Sequence, residues 1–329
     1  MGENNEIFMK RAIQLAKKGR GNVSPNPMVG AVVVNNGKII GEGYHRRYGE
    51  GHAEVNAIAS VKDKDLLKDS TIFVTLEPCC HYGKTPPCAK LIIDSRIPRV
   101  VVGVRDPSRK VGGKGIAMLR DAGVEVTEGV LEEECRNLNP AFMTAHSLHR
   151  PYIMLKWAQS SDGFMDSHDE APVKFSTPLT SVLMHRQRSL FDGIMIGTNT
   201  LRKDNPHLDT RLWHGRSPQP IVITRSHNLP MKSYLMSESP VAPIILDGKI
   251  PMVQNLASLV DNGITSLMVE GGAMLLQSLI DEGLWDEARV EVAPLSLQGG
   301  VKAPVIARIP EKVFTIDNNS IYYYRNTSL

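Results

Sequence analysis

Thr71-Ile72-Phe73-Val74-Thr75-Leu76-Glu77-Pro78-Cys79 runs from an apolar, β-branched segment straight into a carboxylate, a proline and a thiol. Such a run suits a strand buried on both faces, as in a sheet covered by helices. A helix reads from about Pro86 to Ser95, with Cys88 near its start, and another opens at His52-Ala53-Glu54 and continues to Ser60. His52, Cys79 and Cys88 therefore gather at strand and helix ends, where sites in open α/β sheets lie. Helix N-termini favour anionic groups and depress thiol pKa, which helps to make thiolate ligands.

Three protein ligands and an open fourth position are what a catalytic zinc takes. His52, Cys79 and Cys88 supply the three. Glu54, two residues from the histidine, is free to move protons, and zinc lowers the pKa of a bound water to about 7. The zinc-deaminase signature is H-x-E followed by P-C-x-x-C. Here eight residues, not two, separate the cysteines. A structural zinc closed by Cys80 or His81 is the alternative, but it leaves a carboxylate at position 54 without a task.

Around this centre the pattern alternates. A first helix covers residues 7–18, and strands are expected at Met28–Val34 and Lys38–Tyr44, joined by Asn35-Asn36-Gly37, a hairpin signal. Further strands are expected at Val100–Val104 and Val124–Val126, with a helix at Gly115–Ala122 between them. Alternating elements imply a three-layer α/β sandwich. Gly112-Gly113-Lys114-Gly115 looks like a phosphate cradle but lacks the P-loop pattern and reads better as a loop before a helix. Asn137, Asn139-Pro140 and His149-Arg150-Pro151 mark a junction, which divides the chain into residues 1–147 and 148–329. The second part alternates too. Its strands are expected at Tyr152–Trp157, Gly193–Gly197, Gln219–Thr224, Val241–Leu246, Ser266–Val269 and Glu287–Val292. Its helices are expected at Pro178–Phe191, Val253–Asn262 and Ala273–Gly283. Gly271-Gly272, between a strand and a helix, allows close backbone approach and offers a helix N-terminus to a phosphate.

The 329 residues suffice for two cores. A net charge of +3 and 5% aromatic residues argue against a nucleic-acid partner. No apolar run approaches the roughly 20 residues of a membrane span, and no signal-peptide core is visible. Three of the four cysteines, at 79, 80, 88 and 135, fall close together, which suits a metal better than a disulfide framework. The expected compartment is the cytoplasm.

Three stretches carry a specific resemblance: Ser24-Pro25-Asn26-Pro27-Met28-Val29-Gly30-Ala31, His52-Ala53-Glu54-Val55-Asn56-Ala57, and Thr75 through Cys88. Together they are similar to the deaminase half of the RibD family of bifunctional riboflavin-biosynthesis proteins, where the long gap between the cysteines is the rule. Downstream, several motifs in the same order resemble the family's reductase half. They are Leu155-Lys156-Trp157-Ala158-Gln159, Ser176-Thr177, His185-Arg186-Gln187-Arg188, Gly197-Thr198-Asn199-Thr200, Asp204 through Arg211, and Val269-Glu270-Gly271-Gly272-Ala273. The resemblance implies a cytidine-deaminase-like three-layer αβα sandwich followed by a dihydrofolate-reductase-like α/β domain that uses NADPH. It also implies phosphorylated pyrimidine substrates and a homo-oligomer, dimer or tetramer. Asn26, His45, His81, Lys84 and Thr85 would contact the deaminase substrate. Lys156 and Asp204 would lie near the reacting ribose carbon. Val173, Arg188, Leu208, Arg211 and Glu270 would form the rest of the reductase substrate site, with the arginines on the phosphate. Gln159, Phe175, Thr177, Thr200, Asp204 and the turn from Gly272 would line the NADPH site. The chain departs from the family at Ser108, where Asn is usual, at Val173, where Ser is common, and at Phe175, where Trp is usual.

The implied reactions are hydrolysis of the 2-amino group of 2,5-diamino-6-(5-phosphoribosylamino)pyrimidin-4-one and then hydride transfer to the ribosyl carbon chain. Two other classes compete. A nucleoside or tRNA deaminase would act without NADPH and carry a basic face. A zinc-stapled binding protein would tolerate Glu54→Gln.

Overall fold

The computed structural model describes residues 2–82, 86–108, 110–167, 173–226 and 228–327. Lys84 and Thr85 lie outside the described residues. The chain forms two compact units, Met1–Leu148 and His149–Leu329.

The first unit is built from α1 (Gly2–Ala16), β1 (Gly30–Asn35), β2 (Lys38–Tyr44), α2 (Ala53–Ser60), β3 (Thr71–Leu76), α3 (Cys88–Asp94), β4 (Arg99–Val104), α4 (Lys114–Asp121), β5 (Glu125–Glu128), α5 (Glu132–Arg136) and α6 (Pro140–Leu148). Its sheet has the order β2-β1-β3-β4-β5. β1 is antiparallel to both neighbours, and β3, β4 and β5 are parallel. Alternate residues of β1, β3 and β4 serve opposite faces. Ala31, Val33, Ile72, Val74, Val100 and Val102 pack with Ala53, Ala57, Ala89, Ile92, Ile116 and Leu119 of α2, α3 and α4. Val32, Val34, Phe73 and Val101 pack with Met9, Ala12 and Ile13 of α1 and with Leu138 and Met143. This is the expected three-layer sandwich. A Cβ on Gly43 would stand 2.3 Å from the Ala57 nitrogen, so glycine there lets α2 lie directly on β2.

The second unit holds β6 (Tyr152–Gln159), β7 (Phe164–Asp166), α7 (Pro178–Arg188), β8 (Gly193–Gly197), α8 (Thr198–Asp204), β9 (Gln219–Thr224), α9 (Tyr234–Ser237), β10 (Ile244–Asp247), α10 (Met252–Asp261), β11 (Ser266–Glu270), α11 (Ala273–Asp281), β12 (Glu287–Val292), β13 (Val301–Lys302), β14 (Lys312–Ile316) and β15 (Asn319–Arg325). The large sheet runs β10-β9-β8-β11-β6-β12-β15-β14. It is parallel as far as β12, and a final hairpin adds two antiparallel strands. Ile153, Leu155 and Trp157 face one core, and Met154 faces the other.

Several elements differ from the sequence reading. β1 starts at Gly30, not Met28, because the Asn139 side chain takes both Met28 backbone groups, accepting from its N–H and donating to its C=O. The stretch read as a junction contains α6, and α5 ends directly before it. β10 starts only at Ile244, after Pro240 and Pro243, which lack the N–H a strand needs. The β14–β15 hairpin was not expected, although Asp317-Asn318 between two apolar runs was a usable turn signal.

Asp286, nearly buried, accepts two Arg150 guanidinium hydrogens, at 2.7 and 2.9 Å, and the Ile153 N–H. Removing one member of a buried pair leaves the other charge unanswered. We expect Asp286→Asn to destabilise the second unit by about 3–5 kcal/mol. All three tryptophans, Trp157, Trp213 and Trp285, lie in that unit, so their fluorescence during urea unfolding reads the loss directly. An unchanged midpoint would refute the assignment.

Candidate active sites

In the first unit, His52 is the residue before α2, and Glu54 lies in its first turn. Cys79 follows β3 by three residues, and Cys88 begins α3. His52 Nδ1 lies 3.3 Å from Cys88 Sγ and 3.6 Å from Cys79 Sγ. The ligand atoms of all three residues fall within 4.8 Å of one another. Tetrahedral zinc, with bonds of about 2.0–2.3 Å, separates its ligand atoms by roughly 3.5 Å. The site therefore fits zinc in size and in donor chemistry. Hydrogen bonding from Cys88, helped by His52, pulls the Cys79 thiol well below its usual range, whereas Cys79 pushes Cys88 up. Two sulfurs that cannot both ionise easily are a setting a divalent cation resolves.

Glu54 is 3% exposed. Burial pushes its carboxyl up to about 7, with His52 opposing. The His45 and His52 rings meet edge to face at 5.4 Å. His45 Nδ1 lies 3.2 Å from the Gly51 carbonyl, so that nitrogen carries the proton. Nε2 is then an acceptor for the Asn26 amide at 3.3 Å. Asn26 and His45 thus form a polar wall beside His52, whereas His81 is exposed.

Sequence reasoning missed Glu77. It is 3% exposed at the end of β3, one residue before Pro78-Cys79. Its carboxylate accepts the N–H groups of Asp106, Gly113, Gly115 and Ile116, at 2.9–3.3 Å. The glycine-rich loop that resembled a phosphate cradle is filled by the protein's own carboxylate. Ser108 donates its N–H to Asp106 Oδ1 in the same loop. The signal for Glu77 was a charged residue directly after an apolar strand. We expect Glu77→Gln, with one acceptor oxygen in place of two, to cost roughly 3 kcal/mol locally. Hydrogen exchange at Gly113, Gly115 and Ile116 should quicken about a hundredfold, and unchanged exchange would show that something else holds the loop.

In the second unit, Glu270 and Lys156 are register partners on the parallel strands β11 and β6. Arg188, at the end of α7, grips Glu270 with two hydrogen bonds of 2.8 and 2.9 Å and donates a third to the Asp209 carbonyl at 3.1 Å. Burial opposes ionisation of Glu270, but Arg188 and then Lys156 outweigh it and hold the carboxyl at about 2. Burial lowers the Lys156 ammonium. Arg211 is exposed and paired with Asp209 at 2.5 Å. Leu208 is 2% exposed and adopts φ +57°, a costly conformation for a branched side chain. Asp204 closes α8 at the surface.

Gly271 and Gly272 have φ of +66° and +70°. A Cβ on Gly271 would lie 2.9 Å from the Thr200 methyl, so the turn brings its backbone against Thr200 in a cradle suited to a cofactor phosphate. Gln159 accepts the Trp157 indole N–H at 2.7 Å. Phe175 is nearly buried, Val173 half-buried, and Thr177 caps α7.

Two family models match this chain: the cytidine and deoxycytidylate deaminase zinc-binding region over residues 2–104, and the RibD C-terminal domain over residues 151–314. The riboflavin biosynthesis protein RibD of Aquifex aeolicus is 39% identical over 323 residues, covering 91% of this chain and 89% of its own length. The chain belongs to the RibD family. Escherichia coli RibD is 32% identical over 324 residues and 88% of each chain. Among solved structures, Acinetobacter baumannii RibD superposes with a TM-score of 0.88 at 29% identity over 100% of both chains. The Thermotoga maritima diaminohydroxyphosphoribosylaminopyrimidine deaminase/5-amino-6-(5-phosphoribosylamino)uracil reductase gives 0.83 at 36% identity over 99% of each. Like its family, this chain is a bifunctional enzyme of riboflavin biosynthesis, with a zinc-binding deaminase unit and an NADPH-dependent reductase unit. Among the described residues no helix is long and apolar enough to cross a membrane.

The depressed carboxyl of Glu270 has a measurable acid limb. Its unfolded value is about 4.3, so its stabilisation is present above that pH and is lost as pH falls toward about 2. The stability gap between the native chain and Glu270→Gln should shrink by about 3 kcal/mol between pH 6 and pH 2, read by tryptophan fluorescence. A gap that stays constant would remove the ion pair as its source.

Proposed function

We propose that the first unit removes the 2-amino group of 2,5-diamino-6-(5-phosphoribosylamino)pyrimidin-4-one and that the second reduces the resulting 5-amino-6-(5-phosphoribosylamino)uracil to its ribityl product. The observation that carries the first half is the convergence of His52 Nδ1, Cys79 Sγ and Cys88 Sγ beside a buried carboxyl that is not a ligand. Zinc held by those three atoms supplies Lewis-acid activation of water. Glu54, protonated or ionised with nearly equal ease near pH 7 in the metal-free site, takes the water's proton and returns it to the departing amine. Asn26 and His45, mutually hydrogen-bonded, orient the pyrimidine against this pair. His81, Lys84 and Thr85 complete the contacts to the substrate and its ribose phosphate.

In the second unit, Lys156 and Asp204 supply the proton taken up by the heteroatom beside the reacting ribosyl carbon, and NADPH would supply the hydride to that carbon. Glu270 holds Arg188 in place, and Arg188 and Arg211 take the substrate phosphate, with Val173 and Leu208 shaping the site. Gln159, Phe175, Thr177, Thr200 and the Gly272 turn receive the cofactor. Phosphorylated intermediates do not cross membranes unaided, which supports a cytoplasmic location. Part of the same reading is a homo-oligomer without nucleic-acid or membrane partners.

Glu54→Gln should lower ammonia release by at least a thousandfold while the chain keeps one zinc and its NADPH oxidation rate on the uracil substrate. Normal deamination by that variant would sink the role of Glu54. Chelation of the metal should likewise stop deamination and spare the reductase.

A further inference from the structure

Glu291 is a charged residue with 0% exposure on β12, and no reaction step above uses it. Its partners converge from three separate parts of the second unit. Asn319, at the start of β15, donates its amide to Oε1 at 2.7 Å. Ser176, in the segment before α7, donates its hydroxyl to Oε2 at 3.2 Å. Arg289, two residues back on the same strand and 2% exposed, lies 3.4 Å from Oε2. The same Asn319 amide group also donates to the Phe175 carbonyl at 3.0 Å. The next residue, Thr177, donates its hydroxyl to Asp317 at 2.6 Å, in the turn that leads into β15. Three successive residues, Phe175, Ser176 and Thr177, are thus stitched to the end of the sheet, with Glu291 and Asn319 as the central knot.

The knot also bears on Lys156. Arg289 is the register partner of Lys156 on the neighbouring strand β6, and Glu270 is its partner on the other side. Glu291 balances Arg289, and Glu270 balances Arg188. Among the described residues, Lys156 makes no hydrogen bond or close ion pair; the charges of Glu270 and Glu291 act on it at longer range.

We propose that Glu291 is a positioning residue of the reductase: it fixes the Phe175–Thr177 segment as a wall for NADPH and neutralises Arg289 beside Lys156. The proposal rests on the reading that Phe175 and Thr177 line the cofactor site.

The test uses the full chain with zinc bound, measuring ammonia release and NADPH oxidation separately. Glu291→Gln should raise KM for NADPH about tenfold or more, lower kcat by a smaller factor and leave ammonia release unchanged. Ser176→Ala, which cuts only the loop side of the knot and leaves the buried charges in place, should raise KM for NADPH severalfold in the same direction. It serves as the decisive variant if Glu291→Gln does not fold. Phe175→Ala separates the two layers of the argument. If it leaves KM for NADPH unchanged, the cofactor reading of the segment is wrong. If it raises KM while Ser176→Ala and a folded Glu291→Gln do not, the role of Glu291 is wrong and the cofactor reading stands.

Discussion

A carboxylate placed in a dry interior must be answered by donors or it will not stay ionised. Both halves of this enzyme are organised around that constraint. At the end of β3, Glu77 draws in four backbone N–H groups, and with them the loop that leads into α4. Cys79 follows two residues later, so a thiol of the candidate metal group inherits its place from an anchored strand end. In the second unit Glu270 is answered by Arg188, and Glu291 by Asn319, Ser176 and Arg289. Glu54 is the exception. Few donors answer it, and burial raises its carboxyl to about 7, which suits the proton transfer proposed for it.

Much of this was legible in the residues because the local signals and the fold agree. β3, β8, β9 and β12 occupy the limits that their sequence patterns mark. The grouping of His52, Cys79 and Cys88 was suggested by residue type and spacing alone, and their ligand atoms do lie close together. What stayed hidden was long-range. Nothing near Met28 says that Asn139 takes over its backbone groups. Gly112–Gly115 carries the composition of an anion cradle, and only the fold reveals that the anion is Glu77. Glu291 sits in a run, Glu287–Val292, whose alternating charges suggest a half-exposed strand, yet its side chain is wholly buried because β15 and the segment before α7 close over it.

The reductase residues were harder to place than the metal site for the same reason. Lys156, Arg188 and Glu270 come from three elements, and their meeting depends on β6 and β11 being neighbours although more than a hundred residues lie between them. Motif order pointed to them; strand order explains why they touch.

The order of the two units along the sequence carries a consequence for synthesis. A ribosome delivers every strand of the first sheet before any strand of the second, so the zinc-holding unit is free to fold while the rest is still being made. The reductase sheet, by contrast, waits for β15, which follows its other strands in sequence. Until that strand arrives, Glu291 lacks its closest partner and the Phe175 carbonyl lacks its donor. The deaminase unit can therefore fold before the reductase sheet is complete.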